Sequence, residues 1–288
     1  MNFANVLRRE LVDRARAYAL AGKLPACQSY GGEITCFAPH EGNSRHGNFL
    51  AESYKRILAK PEWSKRLDKV HTLARGSLPR TDRGRWMELD SCTSSDALLM
   101  NIFCHPRLLR DGKVAALLGI EAGATACFGY RARVPLVKGR FDRTEIDLRL
   151  GALLIEAKLT ESDFQSARKD TLLAYRDFAE VFDASGLPQT KDRYISYQLL
   201  RNVLAAYALQ CSFCVLVDSR RPDLVAAWYE VMKCVRPVDL RTKLRISTWQ
   251  EIAKAAPGKL RAFLAAKYGI SERRGSFLYS PAEIHESD

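Results

Sequence analysis

Fifteen consecutive residues, Thr144 to Lys158, restrict the possible folds more than any other part of the chain. The run Glu145-Ile146-Asp147-Leu148-Arg149-Leu150 alternates polar with apolar side chains, Gly151 offers a tight corner, and Leu153-Leu154-Ile155-Glu156-Ala157-Lys158 follows. In an extended strand, neighbouring side chains project to opposite faces. Ile146, Leu148 and Leu150 are therefore expected on one face, with Glu145 and Asp147 on the other. On the returning strand Ile155, Ala157 and Leu159 share a face, opposite Glu156 and Lys158. An antiparallel hairpin about Gly151 would bring Asp147 across from Glu156, with two carboxylates and an ammonium gathered above an apolar underside.

The surrounding pattern extends this hairpin into a mixed α/β fold. Ser94-Ser95-Asp96 reads as a helix cap ahead of Ala97 to Phe103. Ala126 to Val137 is a predicted strand, Lys138-Gly139-Arg140 a turn, and Glu161 to Phe182 a largely helical stretch. Helices are expected over Tyr194–Leu209, Leu224–Val235 and Leu260–Tyr268, and strands over Cys211–Val217 and Leu244–Trp249. Upstream, Phe3 to Leu20 carries apolar residues at helical spacing, and Asn48 to Leu73 reads as helical around Pro61. Breaks rich in Gly and Pro suggest a mostly helical ancillary region over residues 1–90 and a core over residues 91–288.

Composition narrows the chemistry. The 288 residues are 47% hydrophobic and 27% charged, so the chain can fill a core rather than remain disordered. Its net charge of +12 favours a polyanionic partner, nucleic acid before an acidic membrane surface. No stretch is long and apolar enough to span a bilayer, since Val203–Val217 is short and interrupted by Gln210 and Ser212. The early charges Arg8, Arg9, Glu10, Asp13 and Arg14 do not suit a signal peptide, so a cytoplasmic protein is expected. The eight cysteines are too dispersed for a disulfide scaffold, and Cys211-x-x-Cys214 lacks a second pair for zinc. No GxxxxGK or HExxH occurs, and the five histidines are scattered.

Two carboxylates beside an ammonium suit metal-assisted phosphodiester hydrolysis. Asp147 and Glu156 supply hard oxygen ligands for Mg2+, with Mn2+ as a substitute, and Lys158 can orient water and stabilise the transition state. A plain Glu156–Lys158 ion pair is the alternative for these two residues taken alone.

Asp147, eight intervening residues and Glu156-Ala157-Lys158 resemble the D…(D/E)XK signature of the PD-(D/E)XK, or restriction-endonuclease-like, nuclease superfamily. Ser94 to Phe103, Tyr197-Gln198-Leu199-Leu200-Arg201-Asn202, His46-Gly47-Asn48-Phe49 and Lys267-Tyr268-Gly269 are similar to segments of a bacterial family of restriction-endonuclease-like proteins. Ile146 stands where the signature often has proline. The resemblance implies a mixed β-sheet core flanked by helices, divalent-metal dependence, and DNA cleavage that leaves a 5′-phosphate, RNA not being excluded. It also implies a further acidic metal ligand before the first strand, for which Glu121 is the candidate, although a solvated helix end explains it as well. Gln198 matches the glutamine that often follows the E-x-K strand, and equally an ordinary polar helix face. Glu145 is a candidate outer ligand or an exposed strand glutamate. A double-strand break takes two active sites, which makes a homodimer compatible with this reading. The alternative is a nucleic-acid-binding protein of the same fold without activity. Basic groups between Arg75 and Arg85, and at Arg273-Arg274, could follow a phosphate backbone.

Overall fold

The computed structural model describes residues 2–271 apart from 29–33, 40–43, 71, 74–75, 78–79 and 82–83. Arg273-Arg274 and part of the Arg75–Arg85 group lie outside the described residues.

A five-stranded mixed sheet forms the centre. Its order is Leu244–Thr248, Ser212–Val217, Leu153–Ala157, Glu145–Leu150, Ala126–Arg131. The last three are antiparallel neighbours, whereas Leu153–Ala157, Ser212–Val217 and Leu244–Thr248 run parallel. The hairpin turns at Gly151, whose φ of 57° lies in the left-handed region that glycine enters without a Cβ penalty. Helices cover both faces, as a sheet with parallel strands requires. One buried cluster joins Leu148, Leu150, Leu153, Ile155 and Ala157 to the helices Ser95–Phe103, Trp249–Ala255 and Gly258–Tyr268. The other joins Leu154, Phe213, Val215 and Val217 to the helices Tyr197–Leu209 and Pro222–Met232. Among the described residues no helix is long and apolar enough to cross a membrane.

The N-terminal segment contributes to the first cluster. Leu7 and Leu11, from the helix Phe3–Gly22, and Tyr54, Ile57 and Trp63 are buried together with Leu148 and Ile155, so the core continues across residue 90. Three of the segments that carry the resemblance meet in a buried polar network. Asn101 Nδ2 donates to the Asn48 carbonyl at 2.9 Å, and Asn48 Nδ2 donates to the Leu89 and Ser91 carbonyls. Lys267 Nζ donates to the Asn48 carbonyl at 3.0 Å, to Asn48 Oδ1, and to Tyr268 Oη at 3.3 Å.

Two expectations need correction. Glu161 to Phe182 is not one long helix. It holds the short strand Ser166–Arg168, paired with Arg193–Ile195, and two brief helices, Lys169–Leu173 and Phe178–Val181. Strand pairing outweighs the helical spacing there. Nor do Ile146, Leu148 and Leu150 share one cluster. Ile146 packs with the Tyr197–Leu209 side, Leu148 and Leu150 with the other. The division falls beside Gly129, which has a φ of 63° on the neighbouring strand between the pairs Tyr130↔Ile146 and Phe128↔Leu148.

Candidate active site

The hairpin opens at Asp147. Backbone pairing between its strands runs from Leu150↔Leu153 to Leu148↔Ile155 and stops there. Asp147 Oδ2 instead accepts the Ala157 N–H at 2.8 Å, so a carboxylate takes the place of the next ladder partner. Meanwhile Glu156 and Ala157 remain paired on their other side with Val215 and Leu216. The fork sets Asp147 against Glu156 and Lys158 without loosening the strand that carries them.

Glu156 is 1% exposed and Lys158 5% exposed. Lys158 Nζ donates to Glu156 Oε1 at 2.8 Å, and Asn202 Nδ2 donates to Glu156 Oε2 at 2.7 Å. Arg201 holds Asn202 in turn, with Nε and Nη2 donating to its Oδ1 at 3.1 and 2.9 Å. Beyond the strand, buried Trp249 donates its indole N–H to the Lys158 carbonyl at 2.9 Å. Buried Arg221 donates to the carbonyls of Leu159, Glu161 and Ser162. The candidate side chains therefore project from a backbone fixed on several sides.

Charge is concentrated here. Burial, and then the carboxylate of Glu156, raise the pKa of Asp147 well above the ordinary aspartate value, against the pull of Lys158, with Asp96 adding to the rise. Burial opposes the Lys158 ammonium, but Glu156, Glu161 and Asp147 more than offset it and hold its pKa above that of a free lysine. Such a pair of crowded acids, one reluctant to ionise, suits a hard divalent cation that would replace the missing positive charge. Among the described residues no three acidic, histidine or cysteine side chains form a ready cage. Two carboxylates match magnesium, which keeps most of its water and uses substrate phosphate oxygens as well. The donor set fits the ion.

Gln198 lies one turn before Asn202 on the same helix face, and its Oε1 is buried with no hydrogen-bond partner. An orphaned acceptor there is suited to a bound water. Glu145 does not join the pair of acids, because Arg66 Nη1 donates to its Oε1 at 2.6 Å. Glu121 is not brought to the site. It is exposed in the turn before Ala126, and Ala126 pairs with Leu150, roughly 10 Å along the strand from Asp147. The helix Gly112–Leu118 ends before Glu121, at the Gly151 end of the sheet rather than at the fork.

Several contributors escape sequence reading. Asp96, in the first turn of the helix Ser95–Phe103, is the further acid close to Asp147. Arg66 Nη2 and Lys69 Nζ donate to Asp96 Oδ2 at 2.9 and 2.6 Å, and together they hold its pKa low despite burial. Glu161 accepts from the Leu159 N–H and from Ser95 Oγ, fixing the loop after Lys158. The Ser94-Ser95-Asp96 cap pattern was the one available signal, and it pointed to a helix start rather than to Asp147.

A family model described as "Restriction Endonuclease associating with ARP" matches residues 25–269. Comparison with curated proteins gives no match, and neither does comparison with solved structures.

Proposed function

The chain belongs to the family of restriction endonucleases associating with ARP, and on that footing we propose that it is a divalent-metal-dependent DNA endonuclease acting from the Asp147, Glu156 and Lys158 fork. The observation that carries this reading is the opening of the ladder at Asp147, where its carboxylate meets the Glu156–Lys158 pair. Asp147 and Glu156 would hold magnesium or manganese, which lowers the pKa of bound water and neutralises charge on the phosphate. Lys158, charged and beside Glu156, orients the attacking water and stabilises negative charge on the phosphoryl oxygens in the transition state. Water oxygen bonds to phosphorus as the P–O3′ bond breaks. The 5′-phosphate remains on one product, the attacking water gives up its proton to solvent, and the departing 3′ oxygen takes one from solvent. Asn202 fixes the orientation of the Glu156 carboxylate, and Gln198 Oε1 offers an acceptor to water.

The net charge of +12 supports a polymeric substrate, and DNA in the cytoplasm is the substrate this reading names. The test is nicking of supercoiled plasmid with Mg2+ or Mn2+, abolished by EDTA and by Asp147→Asn. Retained cleavage in clean Asp147→Asn protein would remove the assignment.

A further inference from the structure

At the other end of the Asp147 strand, beneath the turn that precedes Ala126, lies a cavity of about 130 Å3. Arg56, Lys60, His105 and Arg110 line it with Trp63, and among the described residues no carboxylate does. We propose that it is a phosphate-binding site, taking inorganic phosphate or a terminal phosphate monoester between these four basic side chains.

Its floor is built rather than incidental. Trp63 is 3% exposed, and its indole N–H donates to the Ala126 carbonyl at 3.1 Å, which fixes the ring. Lys60 Nζ sits 4.0 Å from the centre of that ring, and the Arg56 guanidinium 5.7 Å. An ammonium resting on an aromatic face is held without being neutralised. Among the described residues, Arg56, Lys60 and Arg110 form no salt bridge. Glu52, whose charge acts on His105, is already engaged by Lys259 at 3.3 Å.

His105 forms the inner wall and is 5% exposed. Its Nδ1 accepts the Arg107 N–H at 3.3 Å, so the neutral ring carries its proton on Nε2, free to donate to an oxyanion. Burial, followed by Arg107 and Arg56 against Glu52, keeps its pKa low. A bound dianion would reverse that direction. The size decides the ligand class: the cavity is well below the roughly 300–1,000 Å3 of sites for whole small molecules. A single phosphate group matches a space of this size, with anything larger reaching out toward solvent. Two arginines suit its oxygens by bidentate donation.

None of these residues belongs to the fork, so this site and the nuclease reading can fail separately. The test is calorimetric titration of the full chain, in EDTA, with inorganic phosphate and with a short oligonucleotide bearing or lacking a 5′-phosphate. The His105 ring is followed by NMR and assigned with His105→Gln. Phosphate should bind saturably and raise the His105 pKa. Lys60→Gln/Arg110→Gln, with an unchanged melting temperature, should bind about tenfold or more weakly; Arg110→Gln alone tests the exposed side if the pair is unstable. Preference for the 5′-phosphorylated strand over its hydroxyl twin identifies a DNA end as the source, and binding of inorganic phosphate alone a free oxyanion. No saturable binding, or equal binding by wild type and variants, overturns the proposal.

Discussion

Asn202 Nδ2 donates to Glu156 Oε2 at 2.7 Å, which ties an acid in the centre of the sheet to a helix that packs on it. Loss of this contact should let the carboxylate rotate away from its working position. Asn202→Ala is expected to weaken the apparent Mg2+ affinity by about 10–100-fold, the range for groups that orient a metal ligand. Titrating cleavage against Mg2+, with circular dichroism as the fold control, checks this, and an unshifted titration would deny Asn202 a positioning role.

Lys158→Ala removes the ammonium and spares both acids. Cleavage should fall by about 10²–10³-fold while DNA binding persists, the size of loss seen when one transition-state donor is deleted. Single-turnover rates at saturating Mg2+ measure the step directly. Equal rates for wild type and variant would assign the chemistry elsewhere.

The raised pKa of Asp147 gives a stability signature in the absence of metal. From the ordinary aspartate range up to the raised native value, the folded chain binds more protons than the unfolded one. Stability contributed by this group is therefore lost as pH rises through that window. In EDTA, wild type should lose melting temperature with increasing pH relative to Asp147→Asn, and Mg2+ should restore it to wild type alone. Parallel melting curves for the two proteins would contradict the crowding of Asp147 with Glu156.

Lys267 has the opposite sign. Burial pushes its pKa down to about 7, and among the described residues no carboxylate is bonded to it. Between about 7 and the ordinary lysine value the unfolded chain binds more protons, so stability rises with pH across that range. Lys267→Met should flatten the slope and lower stability by about 1–3 kcal/mol, because Asn48 Oδ1 loses its donor. Thermal melts from neutral to alkaline pH decide it; an unchanged slope would show that Lys267 does not titrate there.

Gly129 faces the side chains of Arg66 and Glu145 so closely that a Cβ would lie 2.2 Å from Arg66 Nη1 and 2.9 Å from the Glu145 carboxyl carbon. Its φ of 63° adds a conformational penalty for any other residue. Gly129→Ala is expected to cost about 1–2 kcal/mol or more in urea unfolding and to break the Arg66–Glu145 pair. A variant as stable as wild type would mean that both neighbours move aside freely.

The sheet was legible in the sequence because alternation and Gly151 are local signals, and the same signals placed Asp147, Glu156 and Lys158 on facing strands. The Ser94 cap was legible for the same reason, its Oγ accepting the Ala97 N–H at 3.1 Å. The contacts of Asn202, Asp96 and Arg66 were not, because each is made only through tertiary packing. Asn202 is 46 positions from Glu156, and Arg66 is 79 from Glu145. The helical spacing after Glu161 misled because strand pairing with Arg193–Ile195 supersedes a weak local preference. Glu121 was placed by its order along the chain, which does not reveal at which end of a strand a turn lies.

The Leu153–Ala157 strand is gripped from both edges, antiparallel by one neighbour and parallel by the other. A change in the length of the Gly151 corner therefore need not be transmitted to Glu156, whose alignment with Val215 is maintained independently. Loop insertions there should be tolerated more readily than a single-residue deletion inside Ser212–Val217, which would drag the acid and its lysine out of alignment with Asp147. Freedom to vary thus resides at the tip of the hairpin, and the fidelity of the proposed reactive cluster resides in a strand that lends it no side chain.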